Sequence, residues 1–151
     1  MKILMVCLGN ICRSPMADGL LRTKVKEQKL DVVVDSAGTG DWHVGKAPDS
    51  RMRETAKKNK YSIDNLRARQ FSVEDFDEFD HIYVMDKSNY NNVIKLARSE
   101  DDKQKVKLIL NLLHPGKDLE VPDPYYGGDQ GFQEVFEMLD EATNRILEEI
   151  K

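Results

Sequence analysis

The chain has 151 residues, with 23 Lys and Arg against 27 Asp and Glu, which gives a formal net charge of −4. This length suits one domain over residues 1–151, and 40% hydrophobic with 33% charged residues is typical of a globular rather than a disordered protein. The mild acidity argues against binding to nucleic acid or to a membrane surface. Strand-like sequence begins at Lys2, and no apolar run is long enough to span a membrane, so we expect a cytoplasmic protein.

The first predicted elements are a strand, a helix and a second strand. A continuous apolar run over residues 2–7 predicts a buried strand. Ser14 followed by Pro15 predicts the capped start of a helix that ends near Leu30. The β-branched residues 32–34 predict the second strand, which we expect to stop at the small residues 36–40.

The middle of the chain continues the alternation of helix and strand. The predicted segments are a helix capped by Asp49 or Ser50 and running towards Lys60, a helical turn from Ser72, a strand over residues 81–85, a helix over residues 90–98 and a strand over residues 106–110. Phe71, Phe76 and Phe79 are the expected buried side chains around the helical turn. A loop rich in Pro and Gly is expected over residues 116–128.

The last helix has the clearest pattern in the sequence. Apolar side chains recur at three- and four-residue steps, as one buried helix face requires, at Phe132, Val135, Phe136, Leu139, Ala142, Ile146 and Ile150. Together the elements predict an α/β fold, a doubly wound sheet of four parallel strands with helices on both faces. Such sheets bind ligands at the carboxyl ends of their strands, which directs attention to the loop after the first strand.

That loop, residues 7–14, carries several groups suited to an anion. Gly9 and Asn10 tolerate left-handed backbone angles, so the loop can curl until its amides point inward at the start of a helix. Arg13 can place two parallel N–H donors on two oxygens of a tetrahedral oxyanion. Cys7 lies at the base of this bowl, where the same field favours the thiolate, and Ser14 can hydrogen-bond the sulfur. The simpler alternative is that Cys7 is a small buried side chain at a strand end.

A thiolate beside an oxyanion cradle indicates nucleophilic attack on phosphorus. The run over residues 6–14 resembles the phosphate-binding loop of the low-molecular-weight protein tyrosine phosphatases, which carry Cys, five residues, Arg and Ser near the N-terminus. The resemblance continues through residues 36–39, 68–70, 85–86 and 123–126. It implies hydrolysis of phosphomonoesters through a phosphocysteine on Cys7, without a metal or other cofactor, and phosphotyrosine as a typical substrate.

Asp123 is the candidate for the general acid that protonates the leaving oxygen. Pro122 and Pro124 stiffen its loop, although an Asp between prolines is by itself most often a turn residue. Matched to the acid loop of the family, Asp123 protonates the leaving group and then acts as the base that activates water.

The resemblance also predicts the walls of a substrate slot. Trp42, the only tryptophan, would lie at the rim and contact the substrate ring, with Tyr125 on the opposite wall. A deep slot with aromatic walls favours phosphotyrosine over phosphoserine, so the expected partner is a phosphotyrosine-bearing protein or a small aryl phosphate. The remaining residues expected to bind substrate are Leu8, Gly9, Asn10, Ile11, Cys12 and Ser14.

One position departs from the family pattern. The family usually has a His just before the Ala-Arg-Gln run, where this chain has Leu66 or Arg67, so Asn10, Ser14 and Ser36 are left to hold the loop. Two further questions stay open. Cys12 is either a packed side chain or the partner of Cys7 in a protective disulfide, and Tyr125 or Tyr126 is either unmodified or a regulatory phosphorylation site.

Two other functions compete with a monomeric phosphatase. An arsenate reductase uses the same fold and loop, but its thiol-coupled form needs cysteines downstream, and none follows Cys12. A form that uses glutathione or mycothiol escapes this objection. A phosphate-binding or phosphocysteine-carrier module needs no acid, so Asp123 argues against it. His43, His81 and His114 share no ligand spacing, and we expect no metal site.

Overall fold

A sheet of four parallel strands forms the centre of the molecule. The structure, a computed structural model, describes residues 1–126 and 129–151, without the side chains of Tyr126 and Asp129; residues 127 and 128 of the predicted loop, and the Tyr126 side chain, lie outside the described residues. The strands are β1 Lys2–Cys7, β2 Val33–Gly38, β3 His81–Val84 and β4 Val106–Leu108, in the order β2-β1-β3-β4. The predicted fold class is therefore confirmed.

The carboxyl ends of three strands meet at one edge of this sheet. β1 pairs in parallel with β2, Cys7 opposite Gly38, and with β3, Val6 opposite Val84. The chain adds β2 on one side of β1 and β3 on the other, so the strand order reverses at β1. Ligands bind at such switch points, and the loop after Cys7 lies at this one.

In the described part of the chain, six helices cover the sheet. They are α1 Arg13–Glu27, α2 Ser50–Lys58, α3 Asp75–Glu78, α4 Lys87–Ile94, α5 Glu100–Gln104 and α6 Asp129–Ile150, with short 3-10 turns over Ile109–Leu112 and Pro124–Tyr126. α1, α2 and α6 pack on one face, and α3 and α4 pack on the other. Among the described residues, no helix is both long and apolar enough to cross a membrane.

β1 is buried on both faces, which explains its unbroken apolar sequence. Its alternate residues Ile3 and Met5 join the cluster under α1 and α6, while Leu4 and Val6 join the cluster around Phe76. The expected apolar face of α6 is confirmed: Phe132, Val135, Phe136, Leu139, Ala142 and Ile146 are buried, and Ile150 is partly buried.

Several element boundaries differ from the predictions. α1 begins at Arg13 with Cys12 in the N-cap position, so Ser14 is not the cap and its hydroxyl serves the site instead. β2 does not stop at the small residues but continues through them to Gly38, because they pair along the full length of β1. α4 begins at Lys87, where the Asp86 carboxylate accepts the N–H of Asn89, and β4 ends at Leu108.

Candidate active site

The loop between β1 and α1 has the curled form that the sequence predicts. Asn10 adopts a left-handed conformation with φ 55°. Cys7 is almost fully buried, and its Sγ accepts the backbone N–H of Ser14 at 3.5 Å. The Ser14 Oγ lies 2.9 Å from the same sulfur. Two hydrogen-bonding groups of Ser14 therefore converge on Cys7.

A chain of hydrogen bonds determines which way the Ser14 hydroxyl points. The backbone N–H of Arg69 donates to Asn10 Oδ1 at 3.0 Å, which turns Asn10 Nδ2 towards Ser14 Oγ, 2.7 Å away. Since the hydroxyl oxygen accepts from Asn10, its own proton is available to the Cys7 sulfur at 2.9 Å, which lies nearer than its other acceptor, the Ala37 carbonyl at 3.5 Å. The oriented hydroxyl therefore presents a hydrogen-bond donor to the Cys7 sulfur.

The backbone amide of Arg69 holds the Asn10 side chain in this protein, which lacks the His that the family usually has just before the Ala-Arg-Gln run. Leu66 packs against the core instead, and Arg67 is exposed and donates to the carbonyls of Asp64 and Leu66. Ser36 does not join Asn10 and Ser14 as expected; it lies near the buried carboxylate of Asp18, where it opposes the rise in the Asp18 pKa that burial causes.

The end of β2 fixes the first residues of the loop. Thr39 N–H donates to the Cys7 carbonyl at 2.9 Å, and Gly40 N–H donates to the Leu8 carbonyl at 2.9 Å. Gly38 lies so close to the loop that a Cβ there would come within 2.8 Å of the Leu8 carbonyl oxygen. The backbone of Gly38 and the loop can approach this closely only without a side chain.

Arg13 is buried and anchored on one side of its guanidinium. Its Nη1 donates to Asp86 Oδ2 at 2.7 Å and to the Val121 carbonyl at 3.0 Å. Burial alone would lower the pKa of Arg13, but the Cys7 sulfur and the Asp86 hydrogen bond outweigh burial and raise it. Asp86 was missed as a site residue from sequence, although it lies in residues 85–86, one of the segments that carry the family resemblance, and directly follows the residue after β3, the neighbour of β1.

Asp123 faces Arg13 from the loop before α6. Its Oδ2 lies 3.7 Å from Arg13 Nη2, and its Oδ1 accepts the N–H of Tyr125 at 3.0 Å. Val121 N–H donates to the Met85 carbonyl at 2.9 Å, so this loop is tied to the end of β3. The candidate acid and the candidate phosphate ligand therefore lie at the same edge of the sheet.

These groups open into a pocket of about 360 Å³. It is lined by Cys7, Leu8, Gly9, Ile11, Cys12, Arg13, Trp42, His43, Asp123 and Tyr125. Trp42 is 65% exposed, as a rim residue would be, and its ring covers Gly40, where a Cβ would overlap it. Asn10 and Ser14, also predicted to bind substrate, are buried and do not line this pocket, and their side chains hydrogen-bond each other within the loop.

Two lining residues have properties that sequence did not indicate. His43 lies against Gly9, with its ring centroid 6.5 Å from that of Tyr125, and scattered spacing gave no reason to place it at the site. Cys12 is buried, and this burial raises the pKa of its thiol, with Asp49 acting in the same direction. Both cysteines are free thiols in the structure.

Comparison with known proteins agrees with this geometry. The family model described as low molecular weight phosphotyrosine protein phosphatase matches residues 2–151. A protein of that name from Schizosaccharomyces pombe is 41% identical over 152 residues, covering 99% of this chain and 96% of the relative.

Solved structures show the same likeness. A protein tyrosine phosphatase from Entamoeba histolytica superposes with a TM-score of 0.92 at 39% identity, covering 99% of this chain and 96% of that one. A Drosophila protein described as an arginine phosphatase superposes with a TM-score of 0.92 at 34% identity, covering 100% and 98%. In sequence and in structure, the chain is thus a member of the low molecular weight phosphotyrosine protein phosphatase family.

Proposed function

We propose that this protein hydrolyses phosphotyrosine through a covalent phosphocysteine on Cys7. One observation carries the proposal: a cysteine sulfur and a buried arginine from one loop, and a carboxylate from a distant segment, line a single pocket. The Cys7 sulfur receives two donors from Ser14, and Asp123 lies beside Arg13.

In the first step the Cys7 thiolate attacks phosphorus, forming a P–S bond as the P–O bond to the leaving group breaks. The electron pair goes to the leaving oxygen, which takes the proton of the Asp123 carboxyl. Because Arg13 Nη1 is committed to Asp86 and Val121, Nε and Nη2 remain as the parallel donors for two phosphoryl oxygens. The loop amides and the start of α1 stabilise the charge on the transferred group.

In the second step water attacks the phosphocysteine. Asp123, now a carboxylate, takes a proton from that water as the P–S bond breaks and inorganic phosphate forms. The electron pair returns to Cys7, where the Ser14 hydroxyl and amide stabilise the departing sulfur as an anion. The cycle regenerates the enzyme, and neither step calls for a metal or an organic cofactor.

The walls support an aryl phosphate as the substrate. Leu8 and Ile11 provide apolar sides, and the rings of Trp42 and Tyr125 lie at the mouth. A phenyl ring fills such a slot, whereas the guanidinium of phosphoarginine brings N–H donors to Leu8 and Ile11, which have no side-chain acceptor. The proposed partners are phosphotyrosine-bearing proteins or small aryl phosphates.

Turnover of para-nitrophenyl phosphate in the presence of a chelator tests the reaction. We expect Cys7→Ser to abolish turnover and Asp123→Asn to lower it by about 10²–10³-fold, as is usual for loss of a general acid. Asp77→Asn, at an exposed carboxylate paired with Arg98, is the matched control and should leave turnover unchanged. Full activity in the Cys7 variant would exclude the mechanism, and no turnover by the native protein would favour the carrier function.

A peptide panel tests the substrate class. Peptides of one sequence carrying phosphotyrosine, phosphoserine or phosphoarginine should give a kcat/KM at least about tenfold higher for phosphotyrosine. Comparable values for all three would contradict the proposed preference. Reduction of arsenate with glutathione, measured in parallel, should be undetectable, and a measurable rate would favour the reductase alternative.

We also propose that the protein acts in the cytoplasm, and that it acts as a monomer, since the proposed nucleophile, phosphate ligand and acid all belong to the same chain. Light scattering is expected to give a mass near 17.3 kDa, and twice that mass would contradict the proposal.

A further inference from the structure

Arg51 lies in the first turn of α2, outside the pocket lining, and yet contacts the loop that carries Asp123. Its Nη2 donates to the Tyr125 carbonyl at 3.2 Å. The guanidinium carbon lies 5.3 Å from the centroid of the Tyr125 ring and 4.8 Å from that of Phe132 in α6. One side chain thus contacts both the backbone and the ring of Tyr125, with the buried Phe132 as a second face.

Asp49 holds this guanidinium in place from the opposite side. Arg51 Nε donates to Asp49 Oδ1 at 3.1 Å, and Nη2 donates to Oδ2 at 3.0 Å. Asp49 Oδ1 also accepts the backbone N–H of Arg51 at 2.8 Å and so caps α2. A two-point contact of this kind fixes the plane of a guanidinium, which an ammonium cannot reproduce.

The same aspartate is attached to the nucleophile loop. Asp49 N–H donates to the Ile11 carbonyl at 2.8 Å. The Asp49 carboxylate accepts from Arg51, and Arg51 in turn donates to the Tyr125 carbonyl. The backbone N–H of Tyr125 donates to Asp123 Oδ1 at 3.0 Å, so a continuous set of contacts joins the nucleophile loop to Asp123. The Tyr125 residue is therefore held at its carbonyl by Arg51 and at its amide by Asp123.

We propose that Arg51 is a positioning residue that holds the Asp123 loop against the nucleophile loop and so sets how well the leaving oxygen is protonated. The inference rests on the proposed function, in which Asp123 is the general acid. Arg51 itself contacts neither substrate nor reacting atoms. Replacing Arg51 should therefore change only the contribution that protonation of the leaving oxygen makes to the activation barrier.

The dependence of kcat/KM on the leaving group measures that part directly. A poor leaving group such as phenol needs the acid, whereas dinitrophenol leaves almost unaided. We expect Arg51→Gln to lower kcat/KM by about tenfold or more for phenyl phosphate, and by under about twofold for dinitrophenyl phosphate. The kcat/KM of Arg51→Lys for phenyl phosphate should be close to that of Arg51→Gln, because an ammonium group lacks the planar guanidinium geometry that makes two parallel hydrogen bonds.

Arg53→Gln is the matched control. Arg53 lies on the same helix and donates to the Pro48 carbonyl, so the variant removes a guanidinium without changing the contacts of Tyr125. It should show the leaving-group dependence of the native protein. In an Asp123→Asn background, Arg51→Gln should lower kcat/KM for phenyl phosphate by less than a further factor of about two. The two effects are not additive because Arg51 acts through Asp123.

The outcomes separate this inference from the proposed function. If Arg51→Gln lowers kcat/KM equally for all leaving groups, or only raises KM, Arg51 acts in folding or binding and the inference is wrong. If Asp123→Asn itself leaves the leaving-group dependence unchanged, the assignment of the acid is wrong. Thermal melting of each variant, with assays well below the lowest Tm, ensures that folded protein is compared.

Discussion

Asn10 combines two properties that the nucleophile loop requires at one position. It tolerates the left-handed conformation that curls the loop, and its amide both accepts from Arg69 and donates to Ser14. Its value to Cys7 is indirect, since it directs the proton of the Ser14 hydroxyl towards the sulfur. A single residue thus links backbone shape to the electrostatics of the nucleophile.

Two substitutions at Asn10 separate these properties. Asn10→Gly keeps the left-handed angle but removes the amide, and we expect kcat/KM to fall about tenfold as the hydrogen-bond chain is lost. Asn10→Ala should lose the same activity and in addition about 1–2 kcal/mol of stability, because alanine is strained at this angle. Enzyme assays and urea unfolding measure the two effects. Equal stability of the two variants would contradict the backbone argument.

The two cysteines should differ sharply in reactivity. Burial raises the pKa of the Cys12 thiol, so Cys12 is neutral at pH 7, while Ser14 presents two hydrogen-bond donors to the Cys7 sulfur, the proposed nucleophile. Brief treatment with iodoacetate near pH 6.5 should therefore modify Cys7 and spare Cys12, as mapped by peptide mass spectrometry. Phosphate should protect Cys7 by filling the pocket, and preferential modification of Cys12 would refute this prediction.

The individual site residues were predictable to very different degrees. Cys7 and Arg13 belong to one continuous motif, so their proximity follows from the local chain. Asp86, His43 and Arg51 reach the site from three distant segments, and nothing in their neighbouring sequence specifies a contact with Arg13, Tyr125 or Gly9. Such contacts depend on tertiary packing rather than on local pattern.

The end of β2 shows why the boundary of an element can be misjudged from composition. Ser36, Ala37 and Gly38 were expected to stop the strand, because small residues usually mark loops. In the structure they continue it, since only small side chains allow the strand to run this close to the nucleophile loop. These three residues have low β-propensity because larger side chains would not fit between the strand and the nucleophile loop.

Gly38→Ala tests this explanation. The added Cβ would meet the Leu8 carbonyl oxygen at 2.8 Å, and backbone atoms cannot move aside cheaply. We expect a loss of about 1–3 kcal/mol in stability together with lower turnover. Gly131→Ala in α6 is the control: its Cβ meets Pro124 at an ordinary 3.9 Å, so the helix should gain up to about 1 kcal/mol. Guanidinium unfolding measures both, and an undiminished Gly38→Ala protein would contradict the close-approach argument.

At the scale of the whole molecule, the sheet separates two apolar clusters. The alternation of elements and the continuous apolar run of β1 were sufficient to predict a buried parallel sheet. The period of α6 was sufficient to predict which of its faces is buried. The lengths of β2, α4 and β4 were not predictable, because pairing and capping by Asp86 decide them rather than local propensity.

Leu139 tests the larger cluster without touching the pocket. It lies at the middle of the buried face of α6 and is fully buried. Leu139→Ala should cost about 2–5 kcal/mol through the lost burial and the cavity left behind, while KM at low temperature stays unchanged. Differential scanning calorimetry and steady-state kinetics give the two numbers. A large change in KM would mean that α6 packing and pocket shape are coupled.

Residues 7–13 supply the nucleophile, the phosphate ligand and two apolar sides of the pocket, whereas Trp42 and His43 come from a separate segment. One part of the recognition surface thus lies on a segment that carries none of the proposed chemistry. Exchanging the segment around Trp42 between relatives should redirect such an enzyme to new targets while its reaction stays the same, which makes that segment the natural place for this fold to diversify.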